Sequence, residues 1–125
     1  MMFDHVSIGV ADLARSRKFY DTVLAALGHS RLYEDDGSLG YGTDRIGLWV
    51  LAVKSPILPE PGSGLHLCFV APDRGAVDRF HAAALGSDGS DNGAPGLRAD
   101  YGEGYYAAFV VDPDGYRLEA YRQEG

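Results

Sequence analysis

Three residues far apart in the sequence are of the types that hold divalent metals: His5, His66 and Glu119. Each falls in a run of alternating character. In Phe3 to Val10, the apolar Val6, Ile8 and Val10 point one way and His5, Ser7 and Gly9 the other. In Leu65 to Val70, His66, Cys68 and Val70 oppose Leu65, Leu67 and Phe69. In Tyr116 to Tyr121, Arg117, Glu119 and Tyr121 share a face. A carboxylate in the middle of such a strand needs a partner to offset its desolvation. Two imidazoles and a carboxylate around one cation leave positions open for water and substrate. That set suits Fe(II), Mn(II), Zn(II), Ni(II) or Co(II), and ligand types alone do not choose among them. Taken singly, each residue has a plainer reading: a strand histidine hydrogen-bonded in a groove, or a glutamate paired with Arg117.

The elements that must bring the three together are legible in outline. Asp12 is placed to cap a helix over Leu13 to Leu27, with a stripe of Leu13, Phe19, Tyr20, Val23, Leu24 and Leu27, ended by Gly28. Strand-like runs follow at His29–Tyr33, Leu39–Gly42 and Ile46–Val53, separated by turn residues. Three prolines and two glycines over residues 55–64 then mark a linker of about 55–63. The pattern restarts at Leu65, with Asp73 capping a helix striped by Val77, Phe80, Ala84 and Leu85. A Gly/Ser/Asp/Asn-rich loop over Gly86 to Gly96 and strands at Leu97–Tyr101, Tyr105–Val111 and Tyr116–Tyr121 complete it.

A shift of 61 residues carries His5 onto His66, Asp12 onto Asp73, Phe19 onto Phe80, Leu24 onto Leu85 and Gly28 onto Gly89. The expected fold is therefore α+β, a βαβββ unit used twice in a single domain of 125 residues. Module 1 spans about 2–54 and module 2 about 64–122. The strand backs are expected under the helices, their fronts lining a shared cup.

A net charge of −7 argues against general nucleic-acid binding, which needs a basic face. A single cysteine excludes an internal disulfide and fits a reducing compartment. No apolar run approaches membrane-spanning length, and no secretory pattern opens the chain, so a cytoplasmic location is expected. On the proposed cup face, Tyr121 is the candidate acid/base phenol. Ser7, Trp49 and Arg117 are candidate substrate contacts, each also open to a structural role. Cys68 reads as an inert thiol and most of the tyrosines as sheet packing. His29 and His81 have no assignment, and Asp112-Pro113-Asp114-Gly115 reads as a hairpin turn and nothing more.

With these residues in view the sequence resembles the vicinal oxygen chelate superfamily, which includes glyoxalase I, fosfomycin- and bleomycin-resistance proteins and extradiol dioxygenases. The resemblance rests on Asp4–Val10, Ser16–Tyr20, Gly64–Phe69 and above all Phe109–Glu119. It implies paired βαβββ modules closing a cup-shaped mixed sheet with helices outside, and metal ligands where His5, His66 and Glu119 stand. It also implies a homodimer and a small oxygen-chelating substrate. Glyoxalase I takes a fourth ligand, normally Glu, from the last strand of its first module; Ile46 to Leu51 offers no carboxylate. The implied activity is lyase or isomerase chemistry, thiol transfer or dioxygenation. The alternative is a metal-free binder of the bleomycin-resistance kind.

Overall fold

The computed structural model describes residues 2–57 and 59–124. The first module runs β1 (Val6–Val10), α1 (Leu13–Ala25), β2 (Ser30–Glu34), β3 (Ser38–Gly42) and β4 (Ile46–Ala52). The second runs β5 (His66–Val70), α2 (Arg74–Leu85), β6 (Ser90–Leu97), β7 (Tyr105–Val111) and β8 (Arg117–Gln123), with a 3-10 turn at Ala99–Tyr101. Each module forms its own mixed sheet, ordered β1-β4-β3-β2 and β5-β8-β7-β6. The first strand of each pairs in parallel with the last, and the other pairs are antiparallel. The duplicated α+β unit is therefore present. Among the described residues no strand pairing joins the two sheets, and β1 and β5 each keep a free edge.

The repeat holds at the start of each helix and slips at its end. Asp12 accepts from the Arg15 backbone N–H and Asp73 from that of Ala76, so both caps stand 61 residues apart. Phe19 and Phe80 are both fully buried. Because α1 has 13 residues and α2 has 12, the shift then becomes 60. The left-handed residue after α1 is Gly28, and its counterpart is Asp88 rather than Gly89. Leu85, expected in the core by analogy with Leu24, is exposed for the same reason.

The segment expected as a polar loop is strand β6. Its low strand propensity is overridden by pairing with β7, and the ladder shifts register around Gly93 and Gly96. Pro95 is tolerated because β6 is an edge strand. The strand expected at Leu97–Tyr101 is instead mostly the 3-10 turn.

The helices pack on each other as well as on their sheets, and one core contains Phe19, Tyr20 and Val23 together with Val77, Phe80 and Ala84. Each large side chain in such a core contributes about 1.5–3 kcal/mol. Both modules contribute to that one core. A polar joint adds to it. The Asp114 carboxylate accepts from the Ala11 backbone N–H (3.0 Å), the Arg15 guanidinium (3.2 Å) and the Ser16 hydroxyl (3.4 Å). Tyr20 donates its hydroxyl to Asp112, and Tyr116 donates to the Gly9 carbonyl (2.6 Å). Asp112–Gly115 is thus more than a turn: it ties β7–β8 to the first module.

Candidate metal centre

Parallel pairing of β5 with β8 sets His66 opposite Arg117, Cys68 opposite Glu119 and Val70 opposite Tyr121, all on the face away from the helices. Within that face the His66 Nε2 and Glu119 Oε1 atoms lie 2.7 Å apart. A carboxylate accepts only, so Nε2 carries the proton of this contact. The Tyr105 hydroxyl, from β7, donates to Glu119 Oε2 at 2.5 Å. Burial and the Glu119 hydrogen bond raise the Tyr105 phenol well above its ordinary pKa, keeping it a donor. Glu119 is 6% exposed at its side chain and His66 40%, so a buried carboxylate reaches solvent through the imidazole.

A hollow of about 450 Å³ opens at this pair, lined by His66, Tyr101, Tyr105, Phe109 and Glu119. Its walls are aromatic: Tyr105 stacks on Tyr121 at 4.8 Å and meets Tyr101 edge-on at 5.3 Å. Beside it the exposed Cys68 thiol is pushed up to about 12 by desolvation and the Glu119 carboxylate, which disfavours its thiolate.

His5 lies elsewhere. Its Nδ1 donates to Asp4 at 2.7 Å, and Asp4 is held in turn by Arg45. That arrangement fixes the imidazole with Nε2 free to ligate, as carboxylate-supported metal-binding histidines are fixed. None of the five residues lining the hollow comes from the first module. Among the described residues no three His, Cys, Asp or Glu side chains of one chain are grouped closely enough to hold a metal.

The first-module candidates cluster by register. Ser7 pairs with Trp49 as Cys68 pairs with Glu119, and Cys68 is Ser7 shifted by 61. Trp49 therefore occupies the place in module 1 that Glu119 occupies in module 2. It meets Tyr33 edge-on at 5.5 Å. At the register position equivalent to Glu119, the first module thus carries an indole and no carboxylate.

The structure thus groups His66, Glu119, Arg117 and Tyr121 on one face and His5, Ser7 and Trp49 in the other module. The residue that sequence reading passed over is Tyr105. Strand alternation puts it on the face of Phe109, the register partner of Glu119, but Tyr105 itself pairs with Gln123, and only the reach of its side chain along that face brings the hydroxyl to Glu119.

A family model described as the Glyoxalase/Bleomycin resistance protein/Dioxygenase superfamily matches residues 2–120. The chain is 30% identical to the uncharacterized protein YqjT of Bacillus subtilis, over 92% of this chain and 94% of that one. It is similar to the crystal structure of a glyoxalase/bleomycin resistance protein from Albidiferax ferrireducens. There the TM-score is 0.85, with 32% identity over 97% of this chain and 98% of the other. Likeness to the fosfomycin resistance protein FosX of Mesorhizobium loti is one of fold: TM-score 0.70, 16% identity, with 98% and 92% of the chains covered.

Proposed function

The chain belongs to the Glyoxalase/Bleomycin resistance protein/Dioxygenase superfamily, and on that footing we propose that it is a metal-dependent enzyme of small oxygen-chelating molecules, working as a homodimer. His66 and Glu119 of one chain and His5 of a second copy are its ligands. The observation that carries this reading is the contact of His66 Nε2 with Glu119 Oε1 at the mouth of an aromatic hollow. Two of the three donors already face one point, and the donor types fit a borderline divalent cation. Held by these residues, a divalent cation would supply Lewis-acid chemistry to a chelating substrate oxygen and would lower the pKa of ligated water.

The protein's own residues do the rest. Tyr105 holds Oε2 of Glu119 and leaves Oε1 turned toward His66. Asp4 keeps the proton of His5 on Nδ1, so Nε2 is the ligating atom. To ligate through Nε2, His66 must carry its proton on Nδ1 instead, a change of tautomer that breaks the contact with Glu119. Tyr121, stacked on Tyr105, is the phenol on this face placed to exchange a proton with a substrate. Trp49 and Ser7 of the second copy wall the opposite side. The reading spans lyase or isomerase chemistry, thiol transfer and dioxygenation.

A second reading, a metal-free small-molecule binder, is favoured by the mutual satisfaction of His66 and Glu119 and by the aromatic lining. Elemental analysis separates the two. Untagged protein prepared without chelators should carry about one transition-metal equivalent per chain, and His66→Ala should carry none. A parent that stays metal-free after reconstitution would sink the enzyme reading.

A further inference from the structure

The chain has nine arginines in an acidic background. Seven of them lie within 3.8 Å of a carboxylate among the described residues. The two that do not are Arg98 and Arg117, and both flank the His66–Glu119 hollow. Arg117 is the register partner of His66 and donates to the Gly115 carbonyl (3.1 Å). Arg98 leaves β6 with its backbone N–H on the Tyr105 carbonyl (2.8 Å) and its side chain over the Phe109 ring, the guanidinium carbon 5.3 Å from the ring centre. The His66 ring stands 5.9 Å from that same centre. The Phe109 ring therefore has both the unneutralised guanidinium and the imidazole of a proposed metal ligand within 5.9 Å of its centre.

The seat of Arg98 is built into β6. A Cβ added at Gly93 would lie 2.9 Å from Phe109 and 3.3 Å from the Arg98 Nη2. One added at Gly96 would lie 3.1 Å from its Nη1. Side chains at these two positions would crowd the guanidinium off the ring. Its fixed partner is the Ala94 carbonyl (2.6 Å), which leaves further N–H donors for a ligand. A chain of net charge −7 with surplus carboxylates neutralises its other guanidinium groups and not these.

We propose that the hollow takes a small aromatic acid: its ring packs among Tyr101, Tyr105 and Phe109, its anionic oxygens are held by Arg98 with Arg117 as second donor, and its chelating oxygen faces His66 and Glu119. The chelating end rests on the metal reading above; the anion end does not. Planar carboxylates suit a guanidinium fork, and a desolvated aromatic floor strengthens the pairing.

3,4-Dihydroxybenzoate and 3,4-dihydroxybenzamide share a ring and a chelating pair of hydroxyls and differ in the charge of a group that cannot join that chelate, so their ratio reads the anion site. In calorimetric titrations of manganese-reconstituted protein, the acid should bind at least about tenfold tighter than the amide. Arg98→Gln should bring the two within about twofold, and Arg98→Lys should keep part of the preference. Equal binding of both probes by the parent, no binding of the acid, or an unchanged ratio in Arg98→Gln overturns the proposal. The parent's ratio decides by itself should the Gln variant fail to fold. Metal content measured on the same samples keeps the two readings apart. A metal-free parent with an Arg98-dependent preference sinks the metal centre alone, and a metal-loaded parent without preference sinks the acid site alone.

Discussion

Tyr105 lines the hollow with its ring and conditions a candidate metal ligand with its hydroxyl. Glu119 is buried, and a mid-strand carboxylate with one partner would be free to swing. With Oε2 fixed by Tyr105, only Oε1 is presented to His66. Tyr105→Phe keeps the stack on Tyr121 and removes that hydrogen bond. Metal affinity, read by competition with a chelating dye, should fall about 10–100-fold, the range for lost support of a ligand, with the fold retained. Unchanged affinity would reduce Tyr105 to packing. The sequence shows Glu119 as anomalous because a carboxylate is foreign to a buried strand, but gives Tyr105 no such mark. Tyrosine is ordinary in strands, and Tyr105, Tyr106 and Tyr116 differ in role only through register: Tyr106 donates to Asp78 on α2 and Tyr116 to Gly9. Trp49 could be read as a substrate contact or as packing; that it stands in the place of Glu119 required the paired registers of β1–β4 and β5–β8.

At the scale of elements, what the sequence showed well was what propensity and period control: two capped amphipathic helices, the apolar β4 and the alternating β1, β5 and β8. What it hid was decided by tertiary contact. β6 looks like a loop because Gly, Ser, Asp and Asn are poor strand formers, and pairing with β7 overrides that. Asp112 and Asp114 look like turn residues because turns favour them, and their second task as the joint to α1 has no local signature. The joint has a pH signature, however. Burial raises the Asp112 pKa above its ordinary 3.8, although hydrogen bonds from Tyr20 and the Tyr116 and Asp114 backbone N–H groups pull it back. A carboxyl whose folded pKa is raised penalises the folded state once ionised. The penalty grows as pH rises from 3.8 through the folded value, and it vanishes in acid. Asp112→Asn keeps an oxygen for the two backbone donors and removes the titration. Urea midpoints at neutral pH and at about pH 4 should therefore show the parent gaining on the variant as the solution is acidified. A difference independent of pH would mean that Asp112 titrates in the folded chain as it does unfolded.

At the scale of the whole molecule, two facts point the same way. The first strand of each module, β1 and β5, has a free edge, and the candidate ligands of the two modules do not meet among the described residues of one chain. Free edges invite pairing, and a two-fold dimer can satisfy both kinds at once by setting β1 of each copy toward β5 of the other. The duplication was readable from spacing, since helix caps and core aromatics recur at a fixed shift. Which half of the site meets which was not, because the shift is the same whether modules close on each other or on a second copy. Mixed dimers decide it. His5→Ala and His66→Ala homodimers should each lack the full ligand set and bind metal weakly. Co-expressed and isolated as a mixed dimer, one site has His5 from the second chain and His66 with Glu119 from the first, all intact, while the other site has lost both histidines. Shared sites therefore predict recovery of about half the parental metal content in the mixed dimer, with parental affinity at the site that remains. Sites contained within single chains predict no recovery, because each chain would carry its own defect.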